Sequence, residues 1–137
     1  GATHIINSRE KDFSYEINRI TECNLDIFID NTGSPEIIEK GYELINDQGR
    51  LILVGVPRLN NNINIFSLPL HFGKKIMGSF GGECDPQKDI MRYLKLMNSG
   101  KFSLDELITE RYKLKDINLA ISKIKRGETV GRVLIDL

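Results

Sequence analysis

The sequence predicts a single α/β domain built on a parallel sheet, and three observations support this fold class. Short apolar runs alternate with segments of helical periodicity along all 137 residues. Strand, helix and strand follow one another within about 30 residues, the length of a βαβ unit, whose two strands are parallel. The chain contains no linker, internal repeat or low-complexity segment, so we expect residues 1–137 to form one domain.

The predicted elements begin with a strand, a helix and a second strand. The short apolar run at 4–6 predicts the first strand. Residues 11–22 predict a helix with one apolar face, formed by Phe13, Ile17 and Ile20. Residues 25–29 are apolar on both faces, which favours a strand covered by helices on either side.

The clearest βαβ unit continues from that strand. Ser34 suits a helix N-cap, and Pro35 suits the first helical position, where a missing N–H costs nothing. We expect the helix to run to about Asn46, with Gly49 available for the left-handed turn that stops it. The run at 51–54 then predicts the second strand of the unit.

The second half of the chain continues the alternation. Residues 58–73 are irregular apart from a short alternating strand at 63–66. The elements expected after this stretch are a strand at 75–80, a helix from Pro86 to a stop at 99–100, a strand at 108–112, a helix ending at Gly127 and a strand at 133–135.

Composition and charge exclude several classes of partner. Lys plus Arg and Asp plus Glu number 19 each, so no basic field attracts nucleic acid or a membrane surface. No apolar run approaches the roughly 18–20 residues of a membrane helix, and no signal-peptide pattern is visible. We therefore expect a cytoplasmic protein, in which Cys23 and Cys84 are unpaired thiols because they match no zinc motif.

Glycine-bearing turns follow three of the predicted strands, at 31–33, 54–56 and 79–82. In open parallel sheets, ligands bind just beyond the carboxyl ends of the strands. Glycine removes side-chain bulk there, so a flat ring can lie against the backbone. One glycine after a strand usually marks a plain turn, but three at successive strand ends indicate a ligand-binding edge if the strands are neighbours.

Other chemistry-bearing residues form no recognisable motif. His4 and His71 lie in no metal-ligand pattern, and the chain has no P-loop and no G-x-G-x-x-G. Asp26 and Asp30 flank a strand, and we interpret them as turn or edge residues rather than an acid–base pair. The charges at 83–92 predict a solvated helix face.

Five segments, in this order and spacing, resemble the Rossmann cofactor domain of zinc-dependent, medium-chain alcohol dehydrogenases. The similarity covers essentially all 137 residues. The segments resemble the third, fourth, fifth and sixth strands of that domain and the return to the catalytic domain, and they lie at 1–7 (GATHIIN), 26–33, 49–56, 78–82 and 104–109 with 127–128.

The resemblance implies a Rossmann-like parallel sheet with helices on both faces, incomplete because the first two strands would lie before residue 1. It also implies NAD or NADP as cofactor and zinc in the complete enzyme. The phosphate-binding loop, the ribose-selecting acid and the zinc ligands would precede residue 1 as well. This chain would then hold no metal ligand and no catalytic residue, and would be inactive by itself.

The resemblance also implies roles for individual residues. The turn formed by Asn31, Thr32 and Gly33 matches the one along the adenosine half of the cofactor. The turn against which the nicotinamide packs is matched by Val54, Gly55 and Val56. Ser79 and Gly81, with Phe80 between them, match the residues whose main chain holds the carboxamide.

A pyrophosphate-binding residue is less well matched. Gly131 occupies the position of the arginine that contacts the cofactor pyrophosphate in some members, and Arg132 follows it. A one-residue offset on a strand turns the side chain to the other face. Arg132 is therefore only a candidate for this contact.

Two functions from different classes follow. In the first, the chain is the C-terminal portion of the cofactor domain of an NAD(P)-dependent alcohol or polyol dehydrogenase. In the second, it is a non-catalytic module that self-associates as a homo-oligomer through sheet edges around 60–80. Another doubly wound binder, such as half of a methyltransferase, is disfavoured by the family resemblance.

Overall fold

A computed structural model describes residues 2–101 and 103–137. Gly1, which begins the segment 1–7 that resembles the family, lies outside the described residues. The chain divides into two compact units, Gly1–Cys84 and Asp85–Leu137, and each is described by itself. That residues 1–137 form one domain stays a prediction.

The first unit contains a three-stranded parallel sheet with the order β1-β2-β3. Two short 3-10 turns follow β2 and β3, at Leu68–Phe72 and Phe80–Glu83. The helices and strands are α1 (Phe13–Thr21), β1 (Leu25–Asp30), α2 (Pro35–Leu44), β2 (Ile45–Leu53) and β3 (Lys75–Gly78). The parallel β1-α2-β2 unit predicted from the sequence is confirmed.

Local sequence signals explain where the helices begin and end. The Asp12 carboxylate accepts hydrogen bonds from the backbone N–H groups of Ser14 and Tyr15, at 2.9 and 3.3 Å, and so caps α1. At its other end, α1 stops at Glu22 in the left-handed conformation. Pro35 occupies the first turn of α2, as the sequence predicts.

The core lies between α2 and one face of the sheet. Ile38 and Tyr42 of α2 are buried against Ile45 and Leu51 of β2. The ring of Phe28 lies so close to α2 that a Cβ on residue 41, which is glycine, would come within 2.6 Å of it. The helix α2 therefore packs against β1 and β2 through small and apolar residues.

Tyr42 and Lys74 connect α2 to the chain that follows β2. The Tyr42 hydroxyl donates a 2.8 Å hydrogen bond to the carbonyl of Phe66. The buried Lys74 ammonium donates to the carbonyl of Tyr42 at 3.0 Å, which places a cation at the C-terminal end of α2. It also lies 4.8 Å from the centre of the Tyr42 ring. Tyr42 thus connects α2 to the loop at Phe66 and to Lys74, the residue just before β3.

Two predicted strands, at 4–6 and 63–66, are wrong. Residues 4–6 form no strand, and Ile5 is 92% exposed. A short strand needs a hydrogen-bonding partner, and no described strand pairs with this segment. Residues 63–66 are also irregular, because Ile63 and Ile65 pack against the core cluster instead of joining the sheet.

Two other boundaries shift at the junction between α2 and β2. The helix ends at Leu44 rather than Asn46, and β2 begins at Ile45 rather than at residue 51. Its pairing with β1 is irregular here, since Leu25 aligns with Ile45 whereas Ile27 aligns with Arg50. Residues 47–49, which were expected to form a turn between helix and strand, therefore lie within β2 and form a bulge in its pairing with β1.

The second unit repeats the strand–helix–strand pattern after a helix. Its elements agree with the predicted ones to within a few residues, and β4 pairs with β5 in parallel as a separate two-stranded sheet. They are α3 (Pro86–Asn98), β4 (Ile108–Lys113), α4 (Ile117–Arg126) and β5 (Arg132–Asp136). Gly127 ends α4 in the left-handed conformation, as predicted.

A polar cluster joins β4 to α4 in this unit. The Glu110 carboxylate accepts hydrogen bonds from the Tyr112 hydroxyl and from the Lys123 ammonium, the latter at 3.0 Å. Hydrogen bonding with Tyr112 and with Glu110 raises the pKa of Lys123 to about 12, while the same contacts lower the pKa of Glu110. Lys123 therefore stays charged and serves a structural role here.

The bond between Tyr42 and Phe66 gives a direct test of the packing. Replacing Tyr42 with Phe should lower the free energy of unfolding by about 1–2 kcal/mol, because the Phe66 carbonyl loses its donor. Urea denaturation measures the change. Tyr15→Phe is the matched control, because Tyr15 is exposed and should change stability by less than about 0.5 kcal/mol. Equal effects of the two substitutions would contradict this account.

Candidate functional site

The three glycine-bearing turns lie side by side at one edge of the sheet. In register across the strands, Asp30 of β1 pairs with Leu53 of β2, and Leu53 pairs with Gly78 of β3. All three strands are parallel, so their carboxyl ends meet at this edge. The predicted alignment of the turns is confirmed. We call residues 31–33, 54–56 and 79–81 the rim.

Backbone hydrogen bonds connect the second and third turns of the rim to the neighbouring strand. The N–H of Ser79 donates to the carbonyl of Leu53 at 3.1 Å. The N–H groups of Val54 and Gly55 both donate to the carbonyl of Asp30, at 2.8 and 2.9 Å. The rim is thus a continuation of the sheet, and its backbone geometry is set by β1 and β2.

The Asp30 side chain organises the first turn. It is only 1% exposed. Its Oδ1 accepts from the Thr32 N–H at 3.0 Å and the Thr32 hydroxyl at 2.6 Å, and its Oδ2 accepts from the Gly33 N–H at 2.9 Å. Burial raises the pKa of Asp30, but these hydrogen bonds from Thr32 and Gly33 outweigh it and hold the pKa below its ordinary value.

Asp30 is the last residue of the edge strand β1, so it is an edge residue and not a turn residue, and its burial was missed. Asp26, at the other end of the same strand, is exposed and accepts a 2.9 Å hydrogen bond from the Asn46 side chain. The sequence signal that separates them is the Asn-Thr-Gly after Asp30, since Asp commonly binds backbone N–H groups two or three residues ahead. Asp26 has no such turn behind it.

Gly33 and Gly55 bring the first two turns into backbone contact. Gly33 has a φ of +67°, and a Cβ there would lie 2.6 Å from the carbonyl carbon and oxygen of Val56. A Cβ on residue 55 would lie 2.3 Å from the backbone nitrogen of Gly33. Neither position has room for a side chain, so both glycines are required by the contact itself.

The third turn adopts an unusual backbone. Phe80, Gly81, Gly82 and Glu83 all have positive φ, whereas Ser79 before them is right-handed. A right-handed residue followed by a left-handed one directs successive N–H groups into a shared concavity, which binds oxygen atoms of ligands. Among the described residues, no hydrogen bond engages the N–H of Phe80 or Gly81. These donors are available to a ligand.

Apolar side chains flank those donors. Val56 is 89% exposed and Phe80 is 94% exposed, and Val54 is also largely open. The rim therefore offers backbone donors among apolar surfaces, a combination that fits a flat ring carrying an amide. A nicotinamide has this chemistry, so the residues present fit the nicotinamide half of a dinucleotide.

A cleft of about 390 Å³ lies beside the first turn. Asn31 and Thr32 line it together with the apolar side chains of Ile6, Phe13 and Ile29. A cavity of about 520 Å³ lies at the opposite end of the sheet, against Ile45 and Asn46, and includes no rim residue. Only the first of these spaces adjoins the predicted cofactor-binding residues.

Arg132 belongs to the second unit, and neither histidine is one of the rim residues. Arg132 is an exposed residue at the start of β5 in the second unit, where it aligns with Ile108 of β4. Its role toward a pyrophosphate stays a prediction. His4 is exposed and hydrogen-bonds the hydroxyl of Thr3 at 3.1 Å.

Residues 2–101 and 103–137 contain neither a metal-binding cluster nor a membrane-spanning helix. In those ranges, no three His, Cys, Asp or Glu side chains come together as a metal-binding group. The residues present therefore do not fit a zinc ion, whereas the rim fits a nicotinamide. Across the same residues, the helices are too short or too polar to cross a membrane.

Fold and rim together define a class of protein. A parallel sheet with a ligand-binding rim at its carboxyl edge is typical of nucleotide-cofactor domains. The family profile described as zinc-binding dehydrogenase matches residues 1–99. The chain belongs to this family, in which it corresponds to the C-terminal part of the alcohol dehydrogenase cofactor domain.

Solved structures agree with this assignment. Benzyl alcohol dehydrogenase from Acinetobacter calcoaceticus is 33% identical, with a TM-score of 0.86 over 100% of this chain and 38% of that protein. An alcohol dehydrogenase zinc-binding domain protein from Burkholderia ambifaria is 32% identical, with a TM-score of 0.80 over 94% of this chain and 35% of the other. Both contain the same fold within a longer chain.

A curated relative matches the whole chain. L-threonine 3-dehydrogenase from Pyrococcus horikoshii is 29% identical over 138 aligned residues, which cover 100% of this chain and 39% of that enzyme. The chain thus spans less than two fifths of the length of this relative and of both solved structures.

The lowered pKa of Asp30 predicts an acid-dependent loss of stability. An ionised carboxylate accepts the bonds from Thr32 and Gly33, so its contribution is present above the unfolded pKa of about 3.9 and is lost as pH falls through the lower folded pKa. Urea denaturation from pH 7 to pH 3 should show a smaller decline in the free energy of unfolding for Asp30→Asn than for the unaltered protein.

Comparison of the two proteins isolates Asp30, because Glu16, Asp85, Glu110 and Glu128 also have lowered pKa values and are unchanged in the variant. An identical pH dependence in both proteins would contradict the assignment.

Proposed function

We propose that the chain forms the nicotinamide-side wall of the cofactor site in an NAD(P)-dependent, zinc-type dehydrogenase of alcohols or polyols. The observation that carries the proposal is the third turn, where the N–H groups of Phe80 and Gly81 are free of partners among the described residues. They lie at the carboxyl edge of a parallel sheet, which is the place for a dinucleotide in this class of fold.

Each turn of the rim has a role in this proposal. Asn31, Thr32 and Gly33 run along the adenosine half of the cofactor, and Asn31 and Thr32 line the 390 Å³ cleft at its edge. The nicotinamide packs against the second turn, where Gly55 lets the backbone lie directly against that of the first turn. The carboxamide is held by main-chain groups of Ser79 and Gly81, with Phe80 between them.

The bound cofactor would supply the hydride-accepting ring. The contribution of this chain is to bind the ring, orient it and exclude water from one of its faces. Val54 and Val56 suit the exclusion of water because they are apolar and open at the rim. Main-chain donors suit the orientation of the carboxamide because the sheet holds them in place.

Catalysis in this proposal requires residues that the chain does not provide. No metal-binding group exists within the described ranges, and the sequence contains no phosphate-binding glycine loop. We infer that the chain is inactive by itself, that zinc is bound elsewhere in the complete enzyme, and that Arg132 is a candidate contact for the cofactor pyrophosphate. A cytoplasmic location stays a prediction.

The names of similar proteins support an alcohol-type substrate. One similar structure is a benzyl alcohol dehydrogenase, and one relative is an L-threonine 3-dehydrogenase. Both names refer to the oxidation of a hydroxyl group, although the two substrates differ greatly in polarity. They favour the reaction class and leave the substrate open.

Isolated binding of the cofactor should be weak. Because the phosphate-binding loop is absent, we expect NADH and NADPH to bind the 137-residue chain with a Kd above about 1 mM, which corresponds to roughly 4 kcal/mol of binding free energy. Isothermal titration calorimetry with each nucleotide measures it. Micromolar binding to the monomer would show that the phosphate grip is not needed, contrary to the proposal.

A second candidate function is self-association, and one observation favours it. Four large apolar side chains at 66–72, within the predicted interface at 60–80, are exposed, namely Phe66, Leu68, Leu70 and Phe72. The adjacent β3 is an edge strand of the three-stranded sheet. Exposed apolar patches beside an open strand edge are typical of protein–protein contacts. We propose that two copies meet through this surface as a homodimer.

Sedimentation velocity tests this interface. The unaltered chain should sediment as a dimer, and the pair Phe66→Glu and Phe72→Glu should shift it to monomer, because two charges would be buried without partners. Tyr15→Glu is the control, since Tyr15 is an exposed aromatic on α1, outside the 60–80 segment. A chain that remains monomeric at high concentration would rule out the homodimer.

A further inference from the structure

We propose that Asp30 is the positioning residue of the rim, holding two of its turns in the arrangement that receives the cofactor. The inference rests on the proposed function, because it concerns the same site. Asp30 is among the residues that line the 390 Å³ cleft, but it is 1% exposed and both of its carboxylate oxygens are engaged by Thr32 and Gly33. It acts through the backbone groups that it binds.

Asp30 is the only residue of the described chain that hydrogen-bonds to both of the first two turns of the rim. Its side chain accepts three hydrogen bonds from Thr32 and Gly33 in the first turn. Its backbone carbonyl accepts two from Val54 and Gly55 in the second turn. One buried residue therefore determines where both turns lie.

The charge of Asp30 is balanced by dipoles. None of the ion pairs in the described part of the chain includes it. The N–H groups of Thr32 and Gly33 and the Thr32 hydroxyl provide the compensation instead. A carboxylate presents acceptors on both oxygens, so it can satisfy these donors at the same time.

An asparagine at this position cannot satisfy them. If its oxygen faces Thr32, its NH2 group faces the N–H of Gly33, and in the flipped orientation it faces the N–H of Thr32. Two donors then oppose each other in either case. The first turn must move, although the volume of the side chain is unchanged.

Movement of the first turn is transmitted to the second. Gly33 and Val56 are packed so closely that a Cβ on residue 33 would lie 2.6 Å from the Val56 carbonyl, and a Cβ on residue 55 would lie 2.3 Å from the Gly33 nitrogen. A displaced Gly33 must therefore displace Gly55 and Val56. In the proposed function these residues support the nicotinamide. A substitution at the buried Asp30 should therefore weaken cofactor binding at the second turn, although Asp30 is not part of that turn.

The experiment compares Asp30→Asn with Asp26→Asn in the full 137-residue chain by NMR. Asp26 is on the same strand but is exposed at the other end. Amide hydrogen exchange of Gly33 and Gly55 should accelerate by about tenfold or more in Asp30→Asn. The amide of Leu51, in the core, should change little. Asp26→Asn should leave all three unchanged.

Millimolar NADH is the ligand probe. In the unaltered chain it should shift the amide resonances of Gly55 and Gly81, and in Asp30→Asn these shifts should fall at least about fivefold at the same concentration. A milder pair covers the case in which Asp30→Asn fails to fold. Thr32→Val removes one donor and should accelerate amide exchange of Gly33 and Gly55 in smaller measure, while Thr32→Ser keeps the hydroxyl and should slow this exchange back toward that of the unaltered chain. Only exchange is compared for this pair, because Thr32 itself lines the cleft.

The outcomes separate the two proposals. Unchanged exchange at Gly33 and Gly55 in both Asp30→Asn and Thr32→Val would overturn the positioning role, whatever NADH does. Absence of any NADH-induced shift at the rim of the unaltered chain would count against the proposed function alone. Faster exchange together with undiminished NADH shifts would also overturn the inference, because the rim would then bind without its support.

Discussion

A buried negative charge without a counter-ion governs the candidate site. The Asp30 carboxylate is compensated by N–H and O–H dipoles from Thr32 and Gly33, and leaving such donors or the charge unpaired inside the protein is costly. The turn after β1 therefore wraps around the side chain that precedes it. The backbone carbonyl of Asp30 also accepts hydrogen bonds from the N–H groups of Val54 and Gly55. Asp30 therefore also fixes the position of the turn after β2. The third turn is connected to β2 by the hydrogen bond from Ser79 to Leu53. The three turns are thus linked in sequence, beginning at Asp30.

This arrangement explains why a ligand-binding edge can consist mainly of backbone. Gly33 and Gly55 bring two turns closer than any side chain allows, and the third turn exposes N–H groups through positive-φ residues. Backbone donors are positioned by the sheet and lose no side-chain entropy on binding. In the proposed function the rim contacts the cofactor and not the substrate, so groups outside the rim would select the substrate.

Local signals predicted most of the fold, and they failed where a segment depended on a distant partner. The Ser34-Pro35 start of α2 and the Gly127 end of α4 were predicted because caps act within a few residues. The run at 4–6 has strand-forming residues but no described strand beside it, so its pattern alone could not form a strand. Ile63 and Ile65 alternate like a strand, yet packing against the core under α2 satisfies them instead.

The sequence by itself determined the βαβ unit and the glycine-bearing turn after each strand, because each depends on residues that are near neighbours along the chain. It also carried the family resemblance, through the order and spacing of its segments. Only the tertiary structure decided that Asp30 is buried whereas Asp26 is exposed. Both carboxylates belong to β1, and the turn that follows Asp30 indicates its hydrogen bonds but not its burial. The same holds for the contact between Gly33 and Gly55. Their mutual approach depends on the register of β1 against β2, a long-range pairing that no local pattern specifies.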